Sequence, residues 1–319
     1  MRKILTFLTL ALTFIFVGVL SSCGSDDEKL SLVAPQGAPA VAVADLAANS
    51  DNNISFIDAG IIGEQFTANE YDFIIAPINA GAKLYNKGKS DYKIVAVVTW
   101  GNLYIATQRS DIQTVADLES KTVTIFGEAT INGTIEKYVL DDYNVTYNTL
   151  GTAQLTQSLL TDDANAIVVT AEPALTAAKT KLSKQGKTVT SFSVKELFEA
   201  KSNGLKYTQA GLFVKGDTLK NKKEDVDNFI EIIKESCDKV KTDLDSVCDS
   251  IIALENTGLP NQKAIILSAI PNCNIEFKYA IDVKEDIEAI ATLDIERIND
   301  STKDNFGGKL PDDDFYYNK

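Results

Sequence analysis

The stretch Asp72-Phe73-Ile74-Ile75-Ala76-Pro77 carries most of the information about the fold. Its apolar residues run without a break between turn-forming flanks, which is typical of a strand that other elements cover on both faces. A helix is predicted to start near Asn79, directly after this strand. A doubly covered strand followed at once by a helix indicates a sheet with helices packed on both sides.

The sequence on either side of this stretch repeats the alternation of strand and helix. Leu30–Ala34 and Asn53–Asp58 are predicted strands before it, with an alanine-rich helix over Ala40–Ala48 between them. Lys93–Thr99 is a predicted apolar strand after it, and Asn102–Thr107 continues as an extended segment. This order predicts an α/β sheet.

A second α/β unit is predicted beyond Thr107. Its predicted strands are Thr122–Phe126, Asn144–Leu150 and Ala166–Thr170, and its predicted helices are Thr134–Leu140, Thr152–Leu160 and one opened by Ala171-Glu172-Pro173. Ala210–Lys215 is predicted to be a strand that returns to the first unit, and the chain after it is mostly helical.

The helical part contains one clear amphipathic segment and ends in a polar tail. In the predicted helix Lys222–Thr242 the apolar residues fall on one face; they are Val226, Phe229, Ile230, Ile233, Cys237 and Val240. The tail from Asn299 onward is rich in Asp, Gly and Asn, and we expect it to be a loosely held surface segment.

The N-terminus has the features of an export signal. Arg2 and Lys3 precede an apolar stretch over Ile4–Leu20, as in a secretory signal peptide spanning residues 1–22. The next residues, Leu20-Ser21-Ser22-Cys23, resemble a bacterial lipoprotein cleavage box, and this resemblance implies a lipid on Cys23. Residues 23–29 then form a short polar linker. A plain signal peptide or a single membrane anchor is the alternative, but the stretch is short for a transmembrane helix.

Composition excludes several classes of function. The formal net charge is −14, which disfavours nucleic acid as a partner because like charges repel. The chain contains no histidine, so a Ser-His-Asp triad, an imidazole base and a His-containing zinc site are all excluded. Export permits disulfides, and Cys237, Cys248 and Cys273 could form at most one pair, with Cys248 favoured in it; buried free thiols are the alternative.

The order of these segments resembles the type II periplasmic solute-binding proteins of ABC importers, in the branch that binds nitrate, taurine, alkanesulfonates or thiamine precursors. The residues that carry the resemblance are Pro35–Pro39, Tyr71–Pro77 with Asn79, Thr114–Val123 with Gly127, Leu159–Ile167, Ala171–Pro173 and Ala210–Lys215. In the fourth of these segments, Asp162-Asp163-Ala164-Asn165-Ala166 stands where the family more often has Gly-x-x-Asp-Ala.

The resemblance implies a two-lobed α/β fold, with a mixed sheet flanked by helices in each lobe and two hinge crossings. Lobe 1 would comprise residues 30–106 and 215–319 and lobe 2 residues 107–214, with crossings near Tyr104–Arg109 and Gly211–Lys215. A monomer without cofactor, metal or catalytic residues is expected. It would be held by its lipid on the periplasmic side or the outer surface of the cell envelope and would deliver a small molecule to ABC permease subunits by hinge closure.

In such a fold the ligand is expected beyond the C-terminal ends of strands, against the N-termini of helices. The candidate ligand-binding residues there are Gln36, Gly37, Ala38, Asn79, Trp100, Asn102, Gly127, Thr130, Asn132, Thr170 and Glu172. Some have a structural alternative: Gly37 and Gly127 are suited to turns, and Asn79 and Glu172 to helix caps. Trp100 is expected in the cleft, where its ring could stack on a ligand and its indole N–H could donate a hydrogen bond.

The candidate segments contain neither Lys nor Arg. This absence favours a neutral or weakly basic ligand, such as an amine or a thiamine-precursor-like ring, with Glu128 or Glu172 as its partner. A sulfonate would have to be held by helix N–H groups and hydroxyls alone. Two other functions stay open: an enzyme built on the same fold, and a sensor or adhesin that binds ligand without transport.

Overall fold

The computed structural model describes residues 29–128, 130–297 and 304–319. The predicted signal peptide, Cys23 and most of the predicted linker lie outside these residues. The strands are β1 (Ser31–Pro35), β2 (Asn53–Ile57), β3 (Phe73–Pro77), β4 (Lys93–Thr99), β5 (Leu103–Thr107), β6 (Thr122–Phe126), β7 (Thr146–Leu150), β8 (Ile167–Ala171), β9 (Thr190–Ser193), β10 (Ala210–Val214) and β11 (Ile275–Tyr279).

Helices occupy most of the segments between the strands. They are α1 (Ala38–Val41), α2 (Ala44–Asn49), α3 (Gln65–Ala68), α4 (Ile78–Asn86), α5 (Ile131–Val139), α6 (Ala153–Asp162), α7 (Ala174–Ser183), α8 (Val194–Lys201), α9 (Gly216–Asn221), α10 (Lys223–Thr242), α11 (Leu244–Ala253), α12 (Lys263–Ala269) and α13 (Lys284–Arg297). Short 3-10 helices include Val115–Leu118, Ile270–Cys273 and Ala280–Val283.

The strands form two mixed sheets. The first has the order β11-β4-β10-β3-β1-β2, with β1 parallel to β2 and β3, and with β10 antiparallel to both β3 and β4. The second has the order β7-β6-β8-β5-β9, with β6 parallel to β7 and β8, and with β5 antiparallel to β8 and β9. The predicted α/β class with a mixed, helix-flanked sheet in each half is confirmed.

The first sheet is buried on both faces, as the run 72–77 predicts. Side chains alternate along each strand, so that Phe73 and Ile75 pack beneath α10 and α11, whereas Ile74 and Ala76 join the core on the other face. The six apolar residues predicted to form one face of α10 are all buried against this sheet. The core on the face of Ile74 continues through the junction into the second sheet.

The chain passes between the sheets twice among the described strands. It leaves β4 at Thr99 and enters β5 at Leu103, and it returns over residues 202–209, between α8 and β10. The predicted crossings at 104–109 and 211–215, and the predicted boundary at 106–107, therefore lie several residues too late. Most of those positions lie within β5 and β10, and an apolar run does not reveal which sheet it will join.

The C-terminal tail is not loosely held where the structure describes it. Phe306, Phe315, Tyr316 and Tyr317 are buried, and the Tyr317 N–H donates to the carbonyl of Ile94 on β4. The prediction for residues 304–319 was wrong because their aromatic side chains bury more apolar surface than their polar composition suggests. Residues 299–303 of the predicted tail lie outside the described part.

The three cysteines of the described chain, Cys237, Cys248 and Cys273, are buried free thiols. The prediction that Cys248 would take part in any pair is therefore not met, and the alternative of buried free thiols holds. Burial raises the pKa of each thiol above its usual range, most strongly for Cys237 and Cys273. Within residues 29–128, 130–297 and 304–319, none of the helices has the length and apolar character needed to span a membrane.

Candidate functional site

The two passages between the sheets meet at Gln209. Its backbone N–H donates to Thr99 (3.0 Å), and its carbonyl accepts from the N–H of Ile78 at the start of α4 (3.1 Å). Its side-chain Oε1 accepts from the backbone N–H of Asn102 (3.2 Å). One residue of the second passage therefore holds the first passage and the N-terminus of α4 in place.

Three residues at or next in sequence to these contacts each have a buried side-chain oxygen with no hydrogen-bond partner among the described residues. These oxygens are Oδ1 of Asn79, Oγ1 of Thr99 and Oδ1 of Asn102. The Nδ2 of Asn102 donates to the carbonyl of Glu172 (3.1 Å), which identifies its Oδ1 as the free acceptor. Buried polar atoms are normally paired, so three unpaired acceptors at one junction indicate a place for an external donor.

The second sheet contributes Asn132 to the same junction. The hydroxyl of Tyr207, on the second passage, donates to Oδ1 of Asn132 near the start of α5 (3.4 Å). The ring of Tyr207 also lies against Gly101, where an added Cβ would meet it at 2.3 Å. Gly101 has a φ of 70°, a conformation that favours glycine, so this position combines an unusual backbone with close packing.

A fully buried carboxyl group lies one helical turn further along α5. Both side-chain oxygens of Glu136 lack a hydrogen-bond partner among the described residues. Burial raises the pKa of Glu136 well above its usual range, although nearby Lys137 opposes the shift. Burial also raises the pKa of Tyr207, and the charge of Glu136 adds to this effect.

The loop after β1 contains Gln36, Gly37 and Ala38. The N–H of Gly37 donates to the carbonyl of Thr257 (2.8 Å), and the backbone at Gly37 has a φ of 98°. The Gln36 side chain lies against Gly258, since an added Cβ there would be 2.7 Å from Cβ of Gln36. The loop therefore packs on the segment after α11, and Ala38 is buried.

The loop after β6 contains Gly127, Glu128 and Thr130. The hydroxyl of Thr130 donates to the carbonyl of Gly127 (2.6 Å), which closes the turn at the start of α5. The carboxylate of Glu128 pairs with Lys137 (2.7 Å) and accepts from the hydroxyl of Thr149 (2.9 Å). Glu128 therefore already has cationic and neutral partners within the chain.

Thr170 and Glu172 at the end of β8 also have internal partners. The Thr170 hydroxyl donates to the carbonyl of Ala153 (3.1 Å). The Glu172 carboxylate accepts from the N–H (3.1 Å) and the hydroxyl (2.9 Å) of Thr176, as a cap of α7. Burial raises the pKa of Glu172, and the hydrogen bonds from Thr176 oppose the rise.

Trp100 points away from these residues. Its indole N–H donates to the carbonyl of Glu276 on β11 (2.8 Å), so this group is occupied within the chain. Its ring lines a separate groove beside β11. Of the predicted site residues, contacts with the two passages involve Asn102, Glu172 and Asn132, and Asn79 directly follows Ile78, which bonds to Gln209, whereas Trp100 lines the groove beside β11.

Sequence reasoning missed Thr99, Tyr207 and Gln209 as individual site residues. The available signal was their position, because Thr99 ends the apolar strand β4, and Tyr207 and Gln209 lie within three residues of the start of β10. Within the described chain, no three or more Cys, Asp or Glu residues form a cluster that could hold a metal ion.

The termini of two helices add hydrogen-bond donors at the same strand ends. Helix α4 follows β3 and helix α5 follows β6; the Gln209 carbonyl accepts from the first N–H of α4, and within the described chain neither helix has a side chain capping its first turn. Uncapped N–H groups at a helix N-terminus favour a negatively charged or carbonyl oxygen. The junction therefore offers acceptors from side chains and donors from the backbone.

Comparisons with known proteins agree with this architecture. The NMT1/THI5-like family model matches residues 71–243. A structure of an ABC transporter protein from Parabacteroides distasonis superposes with a TM-score of 0.73, at 21% identity, over 92% of this chain and 100% of that chain. No curated protein matches the chain in sequence.

Two sulfonate-binding proteins are also structurally similar. The periplasmic aliphatic sulphonate-binding protein SsuA from Escherichia coli gives a TM-score of 0.64 at 13% identity, over 89% of this chain and 92% of that chain. The alkanesulfonate-binding protein SsuA from Xanthomonas axonopodis pv. citri, bound to MOPS, gives 0.57 at 13% identity, over 83% and 91%. At these identities the likeness shows the fold, which is that of type II periplasmic binding proteins. Since the family model covers more than half of the sequence, the chain belongs to the NMT1/THI5-like family.

Proposed function

We propose that this protein is a lipid-anchored, extracytoplasmic substrate-binding protein that delivers a small molecule to an ABC importer. The observation that carries the proposal is the set of unpaired acceptors on Asn79, Thr99 and Asn102 around Gln209. The residues that carry these atoms lie at or just after the ends of β3 and β4 or on the first passage, and sites between domains are the usual location of small-molecule pockets. Family membership supports the same function.

Closure about the two passages is the proposed means of capture. Helix α12, on the first sheet, packs against α7, on the second, and the Tyr104 hydroxyl of β5 donates to the carbonyl of Asn272 beyond α12 (3.2 Å). These contacts join the two halves beside the junction. A hinge at 100–102 and 202–209 would break and restore them as the cleft opens and closes.

The ligand is proposed to present hydrogen-bond donors to the three oxygens. The carboxylates of Glu128 and Glu172 already have partners, so neutral amide and hydroxyl oxygens are the acceptors that remain for an amine, amide or hydroxyl group. An acidic end of the ligand could lie on the uncapped termini of α4 and α5. A small aminosulfonate satisfies both requirements, and a thiamine-precursor-like amine satisfies the first.

A thermal-shift screen of residues 24–319 tests this proposal. The panel contains taurine, alkanesulfonates, nitrate, thiamine and its pyrimidine precursors, and amino acids. A ligand at a hundred times its dissociation constant adds about 2.7 kcal/mol to the free energy of unfolding, which raises the melting temperature by a few degrees.

The variant Asn79→Leu removes one unpaired acceptor, and we expect it to weaken the ligand about tenfold. Asn165→Leu, at an exposed asparagine far along the chain, is the matched control and should bind normally. Ligand binding that is unchanged in Asn79→Leu would place the site elsewhere. Lipid anchoring is tested separately: full-length Cys23→Ala should move from the membrane fraction to the soluble fraction.

A further inference from the structure

A second concave surface lies beside β11 and is separate from the residues around Gln209. It is a groove of about 680 Å³, within the size range of small-molecule sites. Its lining comes from α10, α11, β11 and the 3-10 helices on either side of β11, from α8, and from Trp100 and Lys206 on the two passages. We call this surface the edge groove, because β11 is an edge strand of the first sheet and α8 directly follows β9, an edge strand of the second.

The floor of the edge groove is apolar and rigid. Trp100 forms part of it, and the hydrogen bond from its indole N–H to Glu276 fixes the plane of the ring. Val240, Ile270 and Ile275 are buried beside it, so the floor is backed by packed side chains. An ordered indole beside aliphatic residues favours a flat apolar ring on the ligand.

The rim of the edge groove is positively charged. On one wall Glu199 pairs with Lys195 (2.7 Å) and Lys206 (3.2 Å). On the other wall Glu276 pairs with Lys241 (2.9 Å) and Lys278 (3.5 Å). Each wall therefore has two ammonium groups and one carboxylate, so a positive charge remains on each.

This positive rim contrasts with the rest of the molecule. The whole chain has a formal net charge of −14, yet lysines outnumber carboxylates two to one around this groove. A local excess of positive charge over an apolar floor is complementary to a small anion.

The two passages separate the edge groove from the cleft. Trp100 and Lys206 face the groove, while their neighbours Asn102 and Tyr207 bond to Glu172 and Asn132. The strands that precede the predicted ligand-binding loops, β1, β3, β4, β6 and β8, lie further inside the sheets than β11 and β9. A ligand in the groove would therefore be distinct from one in the cleft.

We propose that the edge groove is a second binding site, for a small molecule that has a flat apolar ring and one acidic group. The ring lies on Trp100 and its aliphatic neighbours. The acidic group lies between the lysines of the two walls. There it balances the positive charge of the lysines that Glu199 and Glu276 do not neutralise.

The probe for this site is 8-anilinonaphthalene-1-sulfonate, which has a fused ring and a sulfonate. Trp100 is the only tryptophan in the sequence, so its fluorescence reports on the groove directly. We expect saturable quenching of Trp100 together with a rise in probe emission. The uncharged analogue N-phenyl-1-naphthylamine, which has the same rings without the sulfonate, should bind more weakly.

Two pairs of substitutions test the two walls independently. Lys241→Gln with Lys278→Gln neutralises one wall, and Lys195→Gln with Lys206→Gln neutralises the other; each pair should weaken the sulfonate probe about tenfold. Lys220→Gln, at an exposed lysine outside the groove, is the matched control and should leave the affinity unchanged. Asn79→Leu should also leave it unchanged, because Asn79 belongs to the cleft.

Three results would overturn the proposal. The first is the absence of saturable quenching, and the second is an affinity that neither lysine pair changes. The third is a dimer in solution that both lysine pairs dissociate, since a second copy of the chain would then be the occupant. If the edge-groove proposal failed, the cleft proposal would still stand, because different variants test the two. The thermal-shift screen uses Asn79→Leu, whereas the probe titration uses the lysine variants.

Discussion

The proposed site around Gln209, which we call the cleft floor, and the edge groove lie on either side of the same two passages, but they differ in chemistry. The cleft floor presents unpaired neutral oxygens on Asn79, Thr99 and Asn102 and uncapped helix termini. The edge groove presents an indole and aliphatic side chains, with four lysines and two glutamates around them. The first surface is suited to a ligand with hydrogen-bond donors and the second to an apolar anion.

This difference arises from the direction in which neighbouring residues point. Trp100 and Asn102 are two positions apart, with Gly101 between them, and they serve opposite surfaces. Gly101 permits this divergence through its positive φ and its contact with the ring of Tyr207. The segment 100–102 therefore separates the two surfaces by a single layer of residues, which we call the partition, and its packing affects both sites.

The largest expected effect comes from the partition itself. Gly101→Ala places a methyl group 2.3 Å from the Tyr207 ring and also strains a backbone with a φ of 70°, so we expect the free energy of unfolding to fall by about 3 kcal/mol. Gly186→Ala has a matching φ of 73° and, among the described residues, no atom within 4 Å of the added Cβ, so it isolates the backbone cost at about 1 kcal/mol. Urea unfolding measures both. If both variants lost the same free energy of unfolding, the Tyr207 ring would be able to move away from the added methyl group at no cost, and close packing at the junction would not contribute to stability.

A second effect concerns the buried carboxyl group on the cleft side. The pKa of Glu136 is raised by burial, so above its ordinary value of about 4.5 the unfolded chain releases a proton that the folded chain retains. Stability is therefore lost as pH rises, by up to about 1.4 kcal/mol per pH unit, until the folded pKa is reached. Glu136→Gln removes this dependence. The melting temperature of the variant minus that of the unsubstituted protein should therefore be larger at pH 8 than at pH 5.

The exposed carboxylate Glu255 provides the control for this comparison. Glu255→Gln should shift the melting temperature equally at both pH values. A constant difference between Glu136→Gln and the unsubstituted protein across this pH range would mean that Glu136 is ionised in the folded state. The cleft side would then contain a buried charge rather than a neutral acid.

The proposed cleft site was partly predictable from the sequence, whereas the edge groove was not. Apolar runs such as 72–77 identify buried strands, and the residues after strand ends gave Asn79, Asn102 and Asn132 as candidates. Local pattern is enough in these cases because each loop follows its own strand. The edge groove is built from residues near 100, 195–206, 240–244 and 270–283, which only the tertiary fold brings together.

The individual roles of the predicted residues were less predictable. Trp100 was expected to face a ligand in the cleft, but its indole N–H bonds to a strand that lies 176 positions further along the chain. Glu172 could be read as a cap or as a ligand contact, and the structure shows its carboxylate capping α7. The choice depends on which groups happen to be within hydrogen-bond distance in the folded chain, and sequence spacing does not specify this.

Substitution of Glu276 should have the smallest effect on stability but a measurable effect on binding in the edge groove. Glu276 pairs with Lys241 and Lys278 through a side chain that is 40% exposed, and exposed ion pairs contribute little, so Glu276→Gln should change the free energy of unfolding by less than about 0.5 kcal/mol. The same substitution removes a negative charge from the rim, so affinity for 8-anilinonaphthalene-1-sulfonate should rise about threefold. Glu255→Gln again serves as the control, with neither quantity changed. An unchanged probe affinity in Glu276→Gln would mean that the charges on the rim do not act on the ligand. The two surfaces would then differ in shape and apolar lining, and not in how their charges select a ligand.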